Sequence, residues 1–213
     1  MRFTEGMLRL YAVTDRAWTG RQTLYEQVEA ALRGGATMIQ LREKALDDDA
    51  FLEEAVRMKA LCARYGAPLI VNDRVDIALS AGADGVHVGQ EDMDAREVRS
   101  MIGPDMILGV TAKTVAQARA ASEAGADYLG SGAVFGSATK QNALPMTLDT
   151  LKAICASVDV PVAAIGGINR DNLGQLAGTG IRGVAVVSGI FAAKDIETEC
   201  MLLRALAEAV VLH

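Results

Sequence analysis

Eight times along this chain a short run rich in Val, Ile and Leu is followed by a longer stretch of helical period and then by a break of small residues. The period predicts strands at 8–13, 38–41, 69–72, 85–88, 107–110, 128–130, 162–165 and 183–187, with helices at 24–33, 49–63, 75–81, 115–123, 148–157 and 196–211. The breaks repeat too: G-G-A-T at 34–37, A-G-A-D at 81–84 and again at 124–127, and G-T-G-I at 178–181. A glycine just past a helix accepts the left-handed conformation that ends it, and a buried strand then follows. Apolar strands alternating with helices form a parallel sheet covered on both faces, and eight such units close it on themselves. The expectation is a (β/α)8 TIM barrel, in one domain over residues 1–213. An open doubly wound sheet would place G-x-G-x-x-G after its first strand, where this chain has A-V-T-D-R.

Composition narrows the function. A hydrophobic content of 51% supplies a large core, which aromatics at 4% require to be mainly aliphatic. The same scarcity of aromatics, with a net charge of −6, speaks against a nucleic-acid partner, so any anion site must be local. No run reaches the ~18 apolar residues of a membrane span, and the opening M-R-F-T-E-G lacks the apolar core of a signal peptide. Cys62, Cys155 and Cys200 fall in no C-x-x-C spacing and lie in predicted helices, which suits reduced core thiols and a cytoplasmic protein. The sequence leaves the oligomeric state open, a homo-oligomer included.

Chemistry in such barrels collects at the C-terminal ends of the strands. After strand two comes Q-L-R-E-K, where alternation sends Gln40, Arg42 and Lys44 to one side and Leu41 and Glu43 to the other. The blander reading is a solvated, salt-bridged loop. V-N-D-R after strand three and G-Q-E-D after strand four bring Asp73 and Asp92 onto adjacent loops, where they could share Mg2+, although Asp73 could equally cap the helix that follows. His87, inside the V-H-V run, reads as structural or supporting. The longest connection, 131–145, reads as a lid carrying Ser137, Thr139 and Lys140, a set suited to phosphate oxygens. A-I-G-G-I-N and A-V-V-S-G-I after strands seven and eight offer bare main chain at Gly167 and Ser188 for a phosphate, or else serve only as turns. Two anionic small-molecule substrates suit this mouth: a monophosphate on main chain, and a pyrophosphate on Mg2+ and on Arg42, Lys44 and Lys140, a cluster of cations expected to face Asp73 and Asp92.

In order and spacing, Y-A-V-T-D-R, Q-L-R-E-K, V-N-D-R-V-D-I-A-L, G-A-D-G-V-H-V-G-Q-E-D-M, A-I-G-G-I and G-V-A-V-V-S resemble the thiamine-phosphate synthase family over nearly the whole chain. The resemblance implies a transferase that joins hydroxymethylpyrimidine pyrophosphate to thiazole phosphate and releases pyrophosphate. It implies that Gln40 and Asn72 hold the aminopyrimidine, that Arg42, Lys44 and Lys140 hold the pyrophosphate, and that Asp73 and Asp92 hold Mg2+. Thr139, Gly167, Val187 and Ser188 would hold the thiazole phosphate. Thr111 stands where the family commonly has serine, and G-S-A-T-K at 136–140 where it often has P-T-x-T-K; both departures keep a hydroxyl. A thiazole tautomerase of the same superfamily is the nearest alternative, and a Schiff-base aldolase or a phosphate sensor are more distant ones.

Overall fold

The computed structural model describes residues 2–136 and 146–211. Eight parallel strands close in sequence order: β1 (Leu10–Val13), β2 (Met38–Leu41), β3 (Leu69–Asn72), β4 (Gly85–Val88), β5 (Ile107–Thr111), β6 (Tyr128–Gly132), β7 (Val162–Ile165) and β8 (Gly183–Val186), with β8 pairing back onto β1. Around them run α1 (Leu24–Arg33), α2 (Asp48–Arg64), α3 (Val75–Ser80), α4 (Ala95–Ile102), α5 (Val115–Glu123), α6 (Leu148–Ala156), a short α7 (Ser188–Phe191) and α8 (Ile196–Val211).

Most predicted elements agree with these to within a residue or two, and three differences remain, the first two with a physical cause. Residues 8 and 9 were expected in the first strand, but Leu8 ends a 3-10 turn, Glu5–Leu8, that packs it against the inner barrel wall beside Phe3 and Met7. That segment covers the end of the barrel opposite the active mouth, so it leaves the ladder. The helix α4 was not predicted. Its two buried residues, Val98 and Ile102, make too short an apolar stripe to stand out among A-R-E-V-R-S-M-I. The short helix α7 was read as part of a loop.

An aliphatic core describes the layer between strands and helices, but not the barrel interior. There Tyr11 and Tyr128 stand edge to face with ring centroids 5.7 Å apart, and Phe3 stacks on Tyr128 from below. Gly109 on β5 makes room for them, since a Cβ at that position would run into both the Tyr128 ring and His87. Cys62, Cys155 and Cys200 are free thiols on α2, α6 and α8; burial pushes Cys62 and Cys200 up to about 12 and Cys155 up to about 11. Among the described residues, no helix is long and apolar enough to cross a membrane.

Three of the four repeated breaks share one construction at the N-terminal end of the barrel. Gly82 and Gly125 take positive φ, as a helix-ending glycine should. The fourth residue of three breaks, Thr37, Asp84 and Asp127, forms a two-way bond with an earlier strand, whereas the break at 178–181 ends in Ile181, whose apolar side chain cannot. Thr37 donates its N–H to the Leu10 carbonyl and accepts the Leu10 N–H on Oγ1, each at 2.8 Å. Asp84 treats Leu69 in the same manner at 2.9 and 2.8 Å, and Asp127 treats Leu108 at 2.8 and 2.8 Å. A short polar side chain is needed there because it satisfies the strand N–H at the edge of the ladder.

Ser131 on β6 is fully buried, and its Oγ has no hydrogen-bond partner among the described residues. Ser131→Ala is therefore expected to leave the melting temperature unchanged or to raise it, because a buried unpaired hydroxyl costs about 1–3 kcal/mol. A fall of more than about 3 °C in a thermal melt would contradict this.

Candidate active site

The C-terminal ends of the strands enclose an open cleft. Of the residues singled out in the sequence, Gln40, Arg42, Asn72, Thr111, Gly167, Val187 and Ser188 line it. Alternation along the strands explains the set: Gln40, Asn72 and Thr111 lie two residues beyond the inward-facing Met38, Ile70 and Gly109.

Arg42 is held from two directions. The Thr14 hydroxyl, fully buried, accepts the Arg42 N–H at 3.0 Å, while Asp15 accepts from the guanidinium at 3.1 Å. Arg42 was expected to face Asp73 and Asp92; its partner in the structure is Asp15, because the V-T-D run leaving β1 lies beside β2 in the ladder. The next residue, Glu43, turns away as alternation requires, and its side chain is almost fully buried against Arg16, at 2.8 Å.

Lys44 lies outside the cleft lining. Its ammonium meets Asp73 at 3.2 Å and is largely exposed. Asp73 does not cap α3, whose N-cap is Arg74 without a side-chain bond. Instead its backbone takes φ of +64°, which brings the carboxylate beside that of Asp92. Burial, reinforced by the Asp92 carboxylate, holds Asp73 above the usual carboxylate range, with Lys44 opposing. Asp92 is exposed and accepts the Gly89 N–H at 2.7 Å.

On the β7–β8 side, Gly167 has φ of +63°, and its carbonyl accepts the Asn172 side-chain amide at 2.9 Å. Ser188 opens α7 just beyond β8. Any side chain at Gly167 would meet the Phe135 carbonyl at 2.5 Å besides forcing an unfavourable φ. A bulky residue there disturbs the loop as well as any ligand. Ser137, Thr139 and Lys140 lie outside the described residues.

Several cleft residues escaped the sequence reading. Tyr11, Lys113 and Ile168 line the cleft, and Asp15 and Tyr128 hold residues that do. Lys113 was visible in T-A-K just past β5, and Asp15 in A-V-T-D-R past β1. Tyr11 and Tyr128 gave no signal beyond being aromatics inside strands. His87 is buried in a supporting position, between Tyr128 and Thr111.

The sequence model of the family described as thiamine monophosphate synthase matches residues 10–190. The chain belongs to that family. It is similar to a thiamine-phosphate synthase of Ruminiclostridium cellulolyticum, 50% identical over 89% of this chain and 90% of the relative. It is similar also to one from Lacticaseibacillus paracasei, 48% identical over 96% of both. Among solved structures, a thiamine phosphate pyrophosphorylase from Pyrococcus furiosus superposes with a TM-score of 0.89 at 39% identity, covering 97% of this chain and 98% of the other. Family membership makes the chain an enzyme, a transferase.

Proposed function

We propose that this enzyme joins 4-amino-2-methyl-5-hydroxymethylpyrimidine pyrophosphate to 4-methyl-5-hydroxyethylthiazole phosphate, giving thiamine phosphate and pyrophosphate, in the cytoplasm. The observation that carries the reading is the division of one mouth into two kinds of anion chemistry. Cations and paired carboxylates lie past β2, β3 and β4, whereas a left-handed glycine and a helix start lie past β7 and β8. The names of the relatives agree with it.

Asp73 and Asp92 fit a hard divalent cation, since two adjacent carboxylates raise each other's energy unless a cation lies between them. Among the described residues, no group of three or more His, Cys, Asp or Glu would cage a metal. The ion would complete its shell with water and phosphate oxygens, the habit of Mg2+. Mg2+ bound there would neutralise charge gathering on the leaving pyrophosphate.

The chain's own residues supply the rest. Arg42, Lys44 and Lys140 hold pyrophosphate oxygens and stabilise them as the C–O bond breaks, with Thr111 donating a further bond. Gln40 and Asn72 hold the aminopyrimidine, whose electron-rich ring carries the methylene cation once pyrophosphate has left. Ser137, Thr139, Gly167, Val187 and Ser188 hold the thiazole phosphate so that its ring nitrogen faces that carbon. This dissociative displacement needs no general base.

Incubation with both substrates and Mg2+ should give thiamine phosphate and pyrophosphate in equal amounts. Conversion of a thiazole substrate alone would turn the reading towards a tautomerase. Arg42→Ala should weaken the pyrimidine pyrophosphate by roughly 10- to 100-fold, the loss of one or two charge-assisted bonds, and leave thiazole phosphate within about twofold. Calorimetric titration of each ligand decides this, and equal weakening of both would refute the division into two anion pockets.

A further inference from the structure

A chain of hydrogen bonds crosses the barrel interior directly beneath the cleft. Gln40 Nε2 donates to the Tyr11 hydroxyl at 2.5 Å, the Tyr11 and Tyr128 hydroxyls meet at 2.7 Å, Tyr128 meets His87 Nδ1 at 3.0 Å, and His87 Nε2 meets the Thr111 hydroxyl at 2.9 Å. The chain links β2, β1, β6, β4 and β5, and it begins and ends on cleft-lining residues. Both tyrosines are fully buried, and that burial holds both phenols protonated by raising them well above their ordinary range.

Each phenol has a single proton, as does a neutral His87, so a chain that spends all three protons on its own links can run in only two directions. With the Gln40 amide donating to Tyr11, the Tyr11 proton goes to Tyr128 and the Tyr128 proton goes to His87 Nδ1. His87 then carries its proton on Nε2 and donates it to Thr111, whose own proton is left to point into the cleft. At the opposite end, the Gln40 carbonyl oxygen faces the cleft as an acceptor. Running the chain in reverse inverts both ends: the Gln40 amide N–H groups would face the cleft, and the Thr111 proton would be spent on His87.

The two directions suit different ligands. An acceptor at Gln40 and a donor at Thr111 match a ring bearing an exocyclic amine and a phosphorylated tail. The reverse direction presents donors to an amine and only lone pairs to an anion. We propose that Tyr11, Tyr128 and His87 form a one-way relay that holds the Gln40 carbonyl towards the cleft, and that this relay makes the site specific for an amino-bearing over an oxo-bearing pyrimidine. Tyr11 and Tyr128 are positioning residues that act through Gln40. The inference rests on the reading of Gln40 as a pyrimidine contact, and it adds what fixes the orientation of that contact.

The test is calorimetric titration, with Mg2+ and without thiazole substrate, of the 4-amino pyrimidine pyrophosphate and of its 4-oxo counterpart. The unmodified enzyme should prefer the amino ring by roughly a hundredfold or more, as sites built around one hydrogen-bond polarity do. Tyr11→Phe frees the Gln40 amide to turn and should cut that preference by roughly tenfold, the worth of one buried bond. Tyr128→Phe removes the acceptor of the Tyr11 proton, which can then turn to Gln40, so this variant should cut the preference as well; it decides the matter should Tyr11→Phe fail to fold. The double variant should lose no more than Tyr11→Phe alone, since one relay is broken once. Thiazole phosphate affinity should stay within about twofold throughout, whereas general damage to the barrel would lower it. An unchanged amino-to-oxo ratio in the folded single variants, or equal weakening of all three ligands, would overturn the relay. Failure of the unmodified enzyme to form thiamine phosphate while the ratio still responds would instead overturn the proposed reaction and leave the relay standing.

Discussion

Asp92→Asn is expected to lower kcat/KM by roughly a thousandfold or more while the barrel stays folded. The substitution keeps an oxygen that can accept the Gly89 N–H and removes only the charge beside Asp73. With one carboxylate left, the proposed Mg2+ site loses half of its protein ligands, and the leaving pyrophosphate loses its neutralising partner. Asp92 is exposed, so stability should change by no more than about 0.5 kcal/mol. Steady-state kinetics beside a thermal melt would check both halves, and excess chelator should reduce the unmodified enzyme to a similar rate. A variant that turns over normally, or an enzyme indifferent to chelator, would remove the metal from the proposal.

The second large effect lies at the opposite end of the barrel and is one of stability. The Asp84 side chain is almost fully buried, receives Lys59 on both oxygens at 2.7 Å and accepts the fully buried Leu69 N–H. Asp84→Ala strands a buried donor and a half-covered ammonium together. Breaking such a pair from one side costs about 3–5 kcal/mol, or a fall of roughly 10 °C in melting temperature for a chain of this size. Asp127 occupies the equivalent place in the second A-G-A-D, but its partner Arg99 also donates to the carbonyls of Gly103, Met106 and Gly125. Its loss leaves the guanidinium well bonded, so Asp127→Ala should cost less than half as much. Denaturation of the two variants side by side would show this; equal losses would mean that the strand N–H, common to both sites, sets the cost.

Much of this protein was legible without coordinates, and the reason is periodicity. Burial on both faces writes an unbroken apolar run into each strand, glycines mark the helix ends, and eight repeats leave a closed barrel as the solution. Because chemistry sits at one end of that barrel, the residues following each strand were the ones to read. Gln40, Arg42, Asn72, Thr111, Gly167, Val187 and Ser188 do line a single cleft, and Asp73 does lie beside Asp92.

Partnership across the barrel was decided by tertiary structure alone. Alternation reports that a side chain points inward, but not which inward side chain it meets; Tyr11 and Tyr128 are separated by 117 positions and belong to strands that are not neighbours in the sheet. Arg42 was assigned to the carboxylates past β3 and β4 because charge alone cannot rank acids on adjacent loops, and the ladder gave it Asp15 instead. The repeated A-G-A-D was plain in the chain as a helix stop, while its second task, bonding a strand that precedes it by fifteen or more residues, needed the closed sheet to bring the two together. Local sequence determined which elements form and which way their side chains face, because those follow from neighbours within a few positions. Closure of the barrel decided which of those side chains meet, because only the register of eight strands brings distant hydroxyls, carboxylates and guanidinium groups within bonding distance.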